Sequence, residues 1–305
     1  MVTEEKIGLV LEGGGMRGIY TAGVLDVFMD HSIVFDGVIG VSAGAIHGST
    51  YVANQRGRNI RYYKKYCNDK RMMSYRNYIF TGNIAEPKFC YDTLPNQLDP
   101  FDYDTFQKSG MEFYVACSNV ETGKAEYIKI HDMREEVDAL RASASLPFLS
   151  RIVPYRSMKL LDGGCTDSIP VQAFRKLGFA RNVVVLTQHD GYVKQPEYVK
   201  KARRVYRKYP AFAEAIANRH VMYNQTLQEI RDLEKDGEIF VIRPSRELKI
   251  GHVVREPEKL QEVYEVGVRD AREQLPEMQR WIRERAGNCL PYLRQWKNTG
   301  RYIEN

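Results

Sequence analysis

A pentapeptide of the form G-x-S-x-G, Gly40-Val41-Ser42-Ala43-Gly44, stands between an apolar run, Val34–Val41, and a segment of helical pattern that begins at Ala43. Few patterns restrict a backbone more. The chain must leave a strand and enter a helix through one sharp turn. A Cβ on either side of the serine would crowd that turn, so glycine occupies both places. The serine hydroxyl is then held clear of the sheet at a helix N-terminus, where the local field favours negative charge. A plainer reading makes Ser42 a helix cap. The strand–turn–helix context favours a nucleophile.

One element earlier, Ile7–Leu11 reads as a strand. It runs into Gly13-Gly14-Gly15-Met16-Arg17-Gly18, and Ile19–Met29 then has the spacing of an amphipathic helix. Two strands joined by a helix predict parallel neighbours whose C-terminal ends share one crevice. The glycine loop therefore belongs beside Ser42. Backbone amides at Gly14, Gly15 and Arg17 are the candidate donors to an oxyanion, each worth about 3–4 kcal/mol in favourable cases. The Arg17 side chain would add positive charge near a phosphate headgroup. Gly13-x-Gly15-x-x-Gly18 also fits a dinucleotide fingerprint, a weak signal by itself. That reading wants an acid at the end of the second strand. Asp36 sits within or before the strand, and its end carries Gly40 and Ser42.

A nucleophilic serine needs a base. There are six histidines: His31, His47, His131, His189, His220 and His252. His47 is poorly placed on the helix that follows Ser42. His189 follows the strand-like "NVVVLTQ", and the order Ser42, Asp162, His189 would match an α/β-hydrolase, but several strands precede the nucleophile in that fold and only one does here. Asp162 offers another route. It ends a short apolar strand in "KLLDGGCTDSIP", with Gly163 and Gly164 behind it, so its carboxylate can project into a site and take the serine proton. An Asp-Gly turn is the plainer reading. Asp167 reads as a helix cap, and Cys165 as a small buried thiol.

Strand-like and helix-like segments alternate through the first half: Phe113–Ser118, Tyr127–Ile130, Lys159–Leu161 and Asn182–Thr187 as strands, Asp132–Ala142 and Val171–Leu177 as helices. Alternation predicts a largely parallel sheet with helices on its faces. After residue 190 the pattern is mainly helical, with Ala211–Lys235, Leu260–Leu275 and Glu277–Arg285, plus one strand-like run, Ile239–Pro244. The expected division is 6–190 as the core domain and 191–305 as a helical extension packed on it.

The chain has 305 residues and a formal net charge of +6, concentrated in two stretches. Residues 56–76 carry eight basic residues, one acid and four tyrosines; residues 194–208 carry seven basic residues and one acid. A solvated helix face and an attraction to anionic surfaces both fit. The membrane-contact candidates are Arg56, Arg58, Arg61, Lys64 and Lys65, and no nucleic-acid partner is expected. Five scattered cysteines (Cys67, Cys90, Cys117, Cys165 and Cys289) lack metal or disulfide spacing. The N-terminus lacks a signal pattern, and no apolar run is long enough to span a bilayer. A cytoplasmic protein is expected, peripheral at the inner membrane face.

The ordered set Gly13–Gly18, Gly40–Gly44 and Asp162–Gly164 resembles the patatin-like phospholipase family, and "ASASLPFLSRIVP" from Ala142 to Pro154 is similar to the segment before the family's aspartate. The resemblance covers about residues 6–190. It implies a three-layer α/β/α fold with a mostly parallel central sheet. It also implies hydrolysis of lipid acyl esters through an acyl-enzyme, with Ser42 as nucleophile, Asp162 as base, the glycine loop as oxyanion hole, and neither metal nor cofactor. The alternatives are an acyl-CoA thioesterase using the same dyad, or a nucleotide- or membrane-binding module without turnover.

Overall fold

Apolar runs that are buried on both faces can only sit at the centre of a layered fold. β1 (Ile7–Leu11) and β2 (Gly37–Val41) are such runs, without one exposed residue. The computed structural model describes residues 5–251 and 253–286; His252 and Cys289 lie outside the described residues. β3 (Glu112–Asn119), β4 (Lys124–Ile130), β5 (Val153–Tyr155), β6 (Met158–Asp162), β7 (Arg181–Val185) and β8 (Ile239–Ile242) complete an eight-stranded sheet in the order β5-β6-β3-β2-β1-β7-β8, with β4 paired to β3. The pairs β1–β2, β1–β7, β2–β3 and β7–β8 are parallel. Those involving β4, β5 and β6 are antiparallel.

Alternate strand residues face opposite layers. Leu9, Leu11, Val38, Phe113, Val115, Val183 and Val185 join one core, shared with α1 (Gly18–Asp30), α2 (Ala43–Val52) and α10 (Pro257–Ala286). Val10, Ile39, Tyr114, Val184 and Val241 face the other, shared with α7 (Val171–Lys176) and α9 (Pro210–Lys235). The result is the expected three-layer α/β/α arrangement. The remaining α-helices among the described residues are α3 (Arg58–Tyr66), α4 (Tyr75–Thr81), α5 (Tyr103–Lys108), α6 (Val137–Ser143) and α8 (Val199–Val205), and Phe89–Leu98 forms a π-helix.

Three local expectations shift. α6 begins later than Asp132, because turns precede it. The two C-terminal helices are one, α10, which runs through Pro276. Pro276 is exposed, so the carbonyl freed by its missing N–H can meet water. α1 is not amphipathic: Gly18 to Met29 are all buried. Its outer face is covered by α10, and the helices touch backbone to backbone. A Cβ added at Gly23 would lie 2.3 Å from the Tyr264 carbonyl oxygen, and one at Gly267 would lie 2.1 Å from that of Tyr20. The chain beyond residue 190 thus extends the sheet through β8 and seals one face through α10.

Candidate active site

The sheet brings the two ends of the site together. β3 is flanked by β4 along residues 113–119, so one edge is taken. On its other edge β2 pairs with residues 112–116, and β6 continues with 117–119. β2 runs parallel to β3 and β6 antiparallel, so they approach tip to tip: Val41 lies opposite Ala116, and Asp162 opposite Cys117. Ser42 is the next residue after β2. Two side chains far apart in sequence thus converge at one point of β3.

Ser42 has φ 54° and ψ −121°, a region that costs a non-glycine residue about 1–3 kcal/mol. Neighbours enforce it. The Ser42 amide donates to Ser143 Oγ at 2.8 Å, and that hydroxyl donates to the Ala116 carbonyl at 2.7 Å. A Cβ at Gly44 would sit 2.5 Å from the Leu11 carbonyl oxygen, so α2 can start against β1 only with glycine there. The place of a Cβ on Gly40 is filled by the Ala45 backbone. Ser42 itself makes no cap hydrogen bond. Ser42→Ala is therefore a conservative probe of its hydroxyl.

Asp162 is buried. Its amide donates to the Ser145 carbonyl at 2.9 Å, and its own carbonyl accepts from Ser118 Oγ at 2.7 Å. Oδ1 accepts from the Gly164 amide at 2.8 Å. Oδ2 has no completed hydrogen bond. Burial raises the carboxyl above its usual range; the nearby Ser42 hydroxyl, the Arg219 charge and the Gly164 amide pull it back in part. Arg219, on α9, donates through Nε to the Gly164 carbonyl. The segment Ala142–Ser145 therefore holds both ends of the site, Ser143 through the Ser42 amide and Ser145 through that of Asp162. Ser143→Ala leaves the Ser42 amide without that acceptor. The expected outcome is a roughly tenfold fall in kcat with little change in KM, the equivalent of about 1–2 kcal/mol, read from initial rates on a soluble ester.

The glycine loop lies alongside. The place of a Cβ on Gly13 is 3.3 Å from Ser42 Cβ; that on Gly14 meets the Thr187 side chain; that on Gly18 meets Ala43. The equivalent place on Gly163 meets the Ala116 carbonyl, and that on Gly164 meets Asp162 and Arg219. Among the described residues no acceptor takes the amides of Gly14 and Gly15, and Gly15 has φ 55°. The Arg17 amide is engaged with the Gly14 carbonyl at 3.2 Å, so in this state it is not a free donor. Its turn needs that bond to close before α1. Glu12, just before the loop, is buried and accepts from the Thr187 amide at 2.5 Å and the Tyr223 hydroxyl at 2.6 Å. It ties the loop to the end of β7 and to α9. The sequence reading missed Glu12, Ser143, Arg219 and Tyr223. The only signal for any of them was Ser143, inside the "ASAS" segment.

The rival residues lie elsewhere. His47 is fully buried between the helices, and burial pushes its pKa down to about 4. It packs against Tyr63. His189 packs against Tyr192 and has no hydrogen bond to Ser42 or Asp162 among the described residues. Asp167 accepts from the Tyr127 hydroxyl and the Ile169 amide in the turn before α7; it does not cap that helix as expected, because α7 starts only after Pro170. Cys165 is buried, its thiol pushed up to about 12. Asp36 accepts from the Ile7 amide at the start of β1, at the end of the strand opposite the glycine loop, where it cannot meet a ribose held there. Among the described residues no cluster of His, Cys, Asp or Glu could hold a metal ion, and no helix is long and apolar enough to cross a membrane.

The cations of the basic stretch at 56–76 are mostly exposed, but several are tied to neighbouring side chains. Arg58 is a correction to the expected membrane contacts: it is 5% exposed, donates to the Asp99 carbonyl at 2.7 Å and lies over the Tyr62 and Phe101 rings. Arg56 pairs with Asp30, Arg61 with Asp99, and Lys64 with Gln261. Lys65 is exposed beside Tyr66. α3 carries its cations into contacts with neighbouring elements that the sequence does not reveal.

Behind the glycine loop lies an apolar cavity of about 130 Å³, lined by Met16, Ile46, Tyr63, Met73, Leu94 and Leu140 among others.

The family profile described as "Patatin-like phospholipase" matches residues 9–175. The chain belongs to the patatin-like phospholipase family. A second profile, a domain of unknown function (DUF6363), matches residues 209–283, which supply Arg219 and Tyr223 to the site. The protein YjjU of Escherichia coli (strain K12) is 31% identical over 204 residues, covering 65% of this chain and 57% of that one. Lysophospholipase NTE1 of Meyerozyma guilliermondii is 27% identical over 183 residues, covering 58% of this chain and 12% of that one. The chain thus spans little more than half of the first relative and about an eighth of the second. The crystal structure of VipD from Legionella pneumophila aligns with TM-score 0.44 and 13% identity, covering 90% of this chain and 67% of that one.

Proposed function

We propose that this patatin-like protein is a serine acyl hydrolase that cleaves carboxylic esters of lipids. Ser42 is the nucleophile and Asp162 the base. The reading is carried by one observation: β2 and β6 meet tip to tip on β3, which brings the strained Ser42 to the Asp162 carboxyl, whose Oδ1 is held by the Gly164 amide.

Ser42 Oγ attacks the ester carbonyl carbon as Oδ2 takes its proton. The carbonyl π electrons move onto oxygen, and the Gly14 and Gly15 amides receive that oxyanion. The intermediate collapses, the C–O bond to the alcohol breaks, and Asp162 returns the proton to the leaving oxygen. Water then attacks the acyl-serine with Asp162 again as base, releasing the acid and restoring Ser42. The raised carboxyl of Asp162 suits both proton acceptance and return, since a base too weak to hold the proton cannot deliver it. The apolar cavity behind Met16 takes the acyl chain. Arg17, Lys194 and Arg219 lie within electrostatic range of one another, and Lys194 is held below its ordinary range by burial and by those two charges. That cationic corner fits the phosphate of a phospholipid or lysophospholipid headgroup.

A fluorophosphonate probe tests the assignment. Labelling is expected on the unmodified chain and on His189→Ala at equal rates, and none on Ser42→Ala. Slow labelling of His189→Ala would instead identify a histidine-based triad.

A further inference from the structure

α4 is a complete helix with almost nothing beneath it. Ser74 caps its start by accepting from the Asn77 amide at 3.1 Å, and Gly82 ends it in the left-handed region. None of its residues is buried. Tyr75, Ile79 and Phe80 are 65%, 76% and 75% exposed. A folded, capped helix that turns its largest apolar side chains to solvent marks an interaction surface.

Two observations say what covers it. The first is position. Met72 and Met73 precede α4 and Ala85 follows it, and all three line the apolar cavity. The helix therefore stands on the outer wall of the space assigned to the acyl chain. The second is charge. The Ile84 amide donates to the Leu149 carbonyl at 2.7 Å, and the Arg151 amide to Asn83 Oδ1 at 3.0 Å, which joins the end of α4 to residues 148–151. Phe148 in turn packs its ring on Tyr198 and Tyr206, and its amide donates to the Tyr206 hydroxyl at 2.9 Å. α8 thus follows directly, with Val205 52% exposed and with Lys201 and Arg204 exposed, the Lys201 ammonium lying over the Phe148 ring. Arg76, Arg151 and Arg207 are also exposed. Of the nearby acids, Glu214 is paired with Arg203, and Glu197 lies near Lys194. Apolar and tyrosine side chains rimmed by exposed cations with no acidic partner among the described residues match the boundary between acyl chains and anionic headgroups.

We propose that α4, residues 148–151 and α8 form a docking surface for an anionic phospholipid bilayer, placing the wall of the acyl cavity against the membrane. The surface differs from the α3 cations that the sequence suggested. Its orienting role rests on the lipid-ester reading, whereas the docking itself does not require turnover.

The experiment separates the two. Ser42→Ala in the full chain is mixed with vesicles of phosphatidylcholine, with and without phosphatidylglycerol, and the bound fraction is measured by flotation. Binding is expected, stronger with phosphatidylglycerol. Ile79→Ser/Phe80→Ser in that background is expected to weaken partition about tenfold or more, and Lys201→Glu/Arg204→Glu to weaken only the phosphatidylglycerol-dependent part. In the chain with Ser42 intact, both pairs should leave turnover of a soluble butyrate ester within about twofold. Absence of vesicle binding by Ser42→Ala would overturn the proposal, and would leave the α4 face to a protein partner. Unchanged partition in both pairs, or equal losses on vesicles and soluble ester, would overturn it too. An intact chain that docks but cleaves no ester would sink the hydrolase reading and leave the docking surface standing.

Discussion

Asp162→Asn is expected to lower kcat/KM for ester hydrolysis by on the order of 10³-fold while making the protein more stable at pH 7. The first effect follows because an amide cannot accept the Ser42 proton, and general-base catalysis is worth about 10²–10⁴. The second follows from burial, which raises the Asp162 carboxyl in the folded protein above its unfolded value of about 3.8. The folded chain then holds that proton more tightly than the unfolded chain. The resulting stabilisation is fully present below the unfolded value and is lost as pH rises through the folded one. At pH 7 the ionised group is a net cost, which asparagine removes. Asparagine also keeps an oxygen for the Gly164 amide. A Tm rise of about 2–4 °C is expected by calorimetry. With Asp162 as base, the same shift is expected to place the acid limb of the unmodified protein's pH–rate profile above the range of a free carboxylate. A lower Tm for Asp162→Asn at pH 7 would show that its carboxylate is a structural partner instead.

Gly44→Ala is expected to destabilise the protein and to remove most activity from whatever folds. The added Cβ would meet the carbonyl oxygens of Leu11 and Glu12 at 2.5 and 2.7 Å. Backbone at the end of a central strand cannot rotate away as a long side chain can. Overpacking of this kind costs about 1–3 kcal/mol, read as a fall in the urea midpoint. The remaining strain must push α2 away from β1. That separates Ser42 from the glycine loop, and a displacement of about 1 Å at a reacting centre costs about 100-fold in rate. Gly48→Ala, where the added Cβ meets the Leu11 side chain at 2.8 Å, is the control. Side-chain tips can move, so its activity loss should be much smaller.

Much of the layered core was legible because each element announces itself locally. Ile7–Leu11 was read with the strand's own ends, and the turn at Ser42 follows from two glycines around one serine. The glycine loop was placed beside Ser42 by the parallel-crossover rule alone. The misreadings have physical reasons. α1 looked amphipathic because Thr21 and Asp26 interrupt its apolar pattern, yet α10 covers that face and Tyr264 donates to Asp26. Arg58 looked like a surface cation because charge says nothing of burial when Asp99 waits on a distant segment. Tyr75, Ile79 and Phe80 carried no sequence signal of an exposed apolar face, since nothing local shows that a helix lacks a partner.

The sequence by itself determined the local geometry: where strands stop, where helices begin, and which hydroxyl and which carboxyl stand at strand ends. Those outcomes depend on sterics between neighbours a few residues apart. Only the tertiary structure decided that β2 and β6 share one edge of β3, that Ser143 holds the Ser42 amide, and that α9 lends Arg219 and Tyr223 to the same corner. Each depends on pairings between remote segments, which are chosen by the packing of the whole sheet.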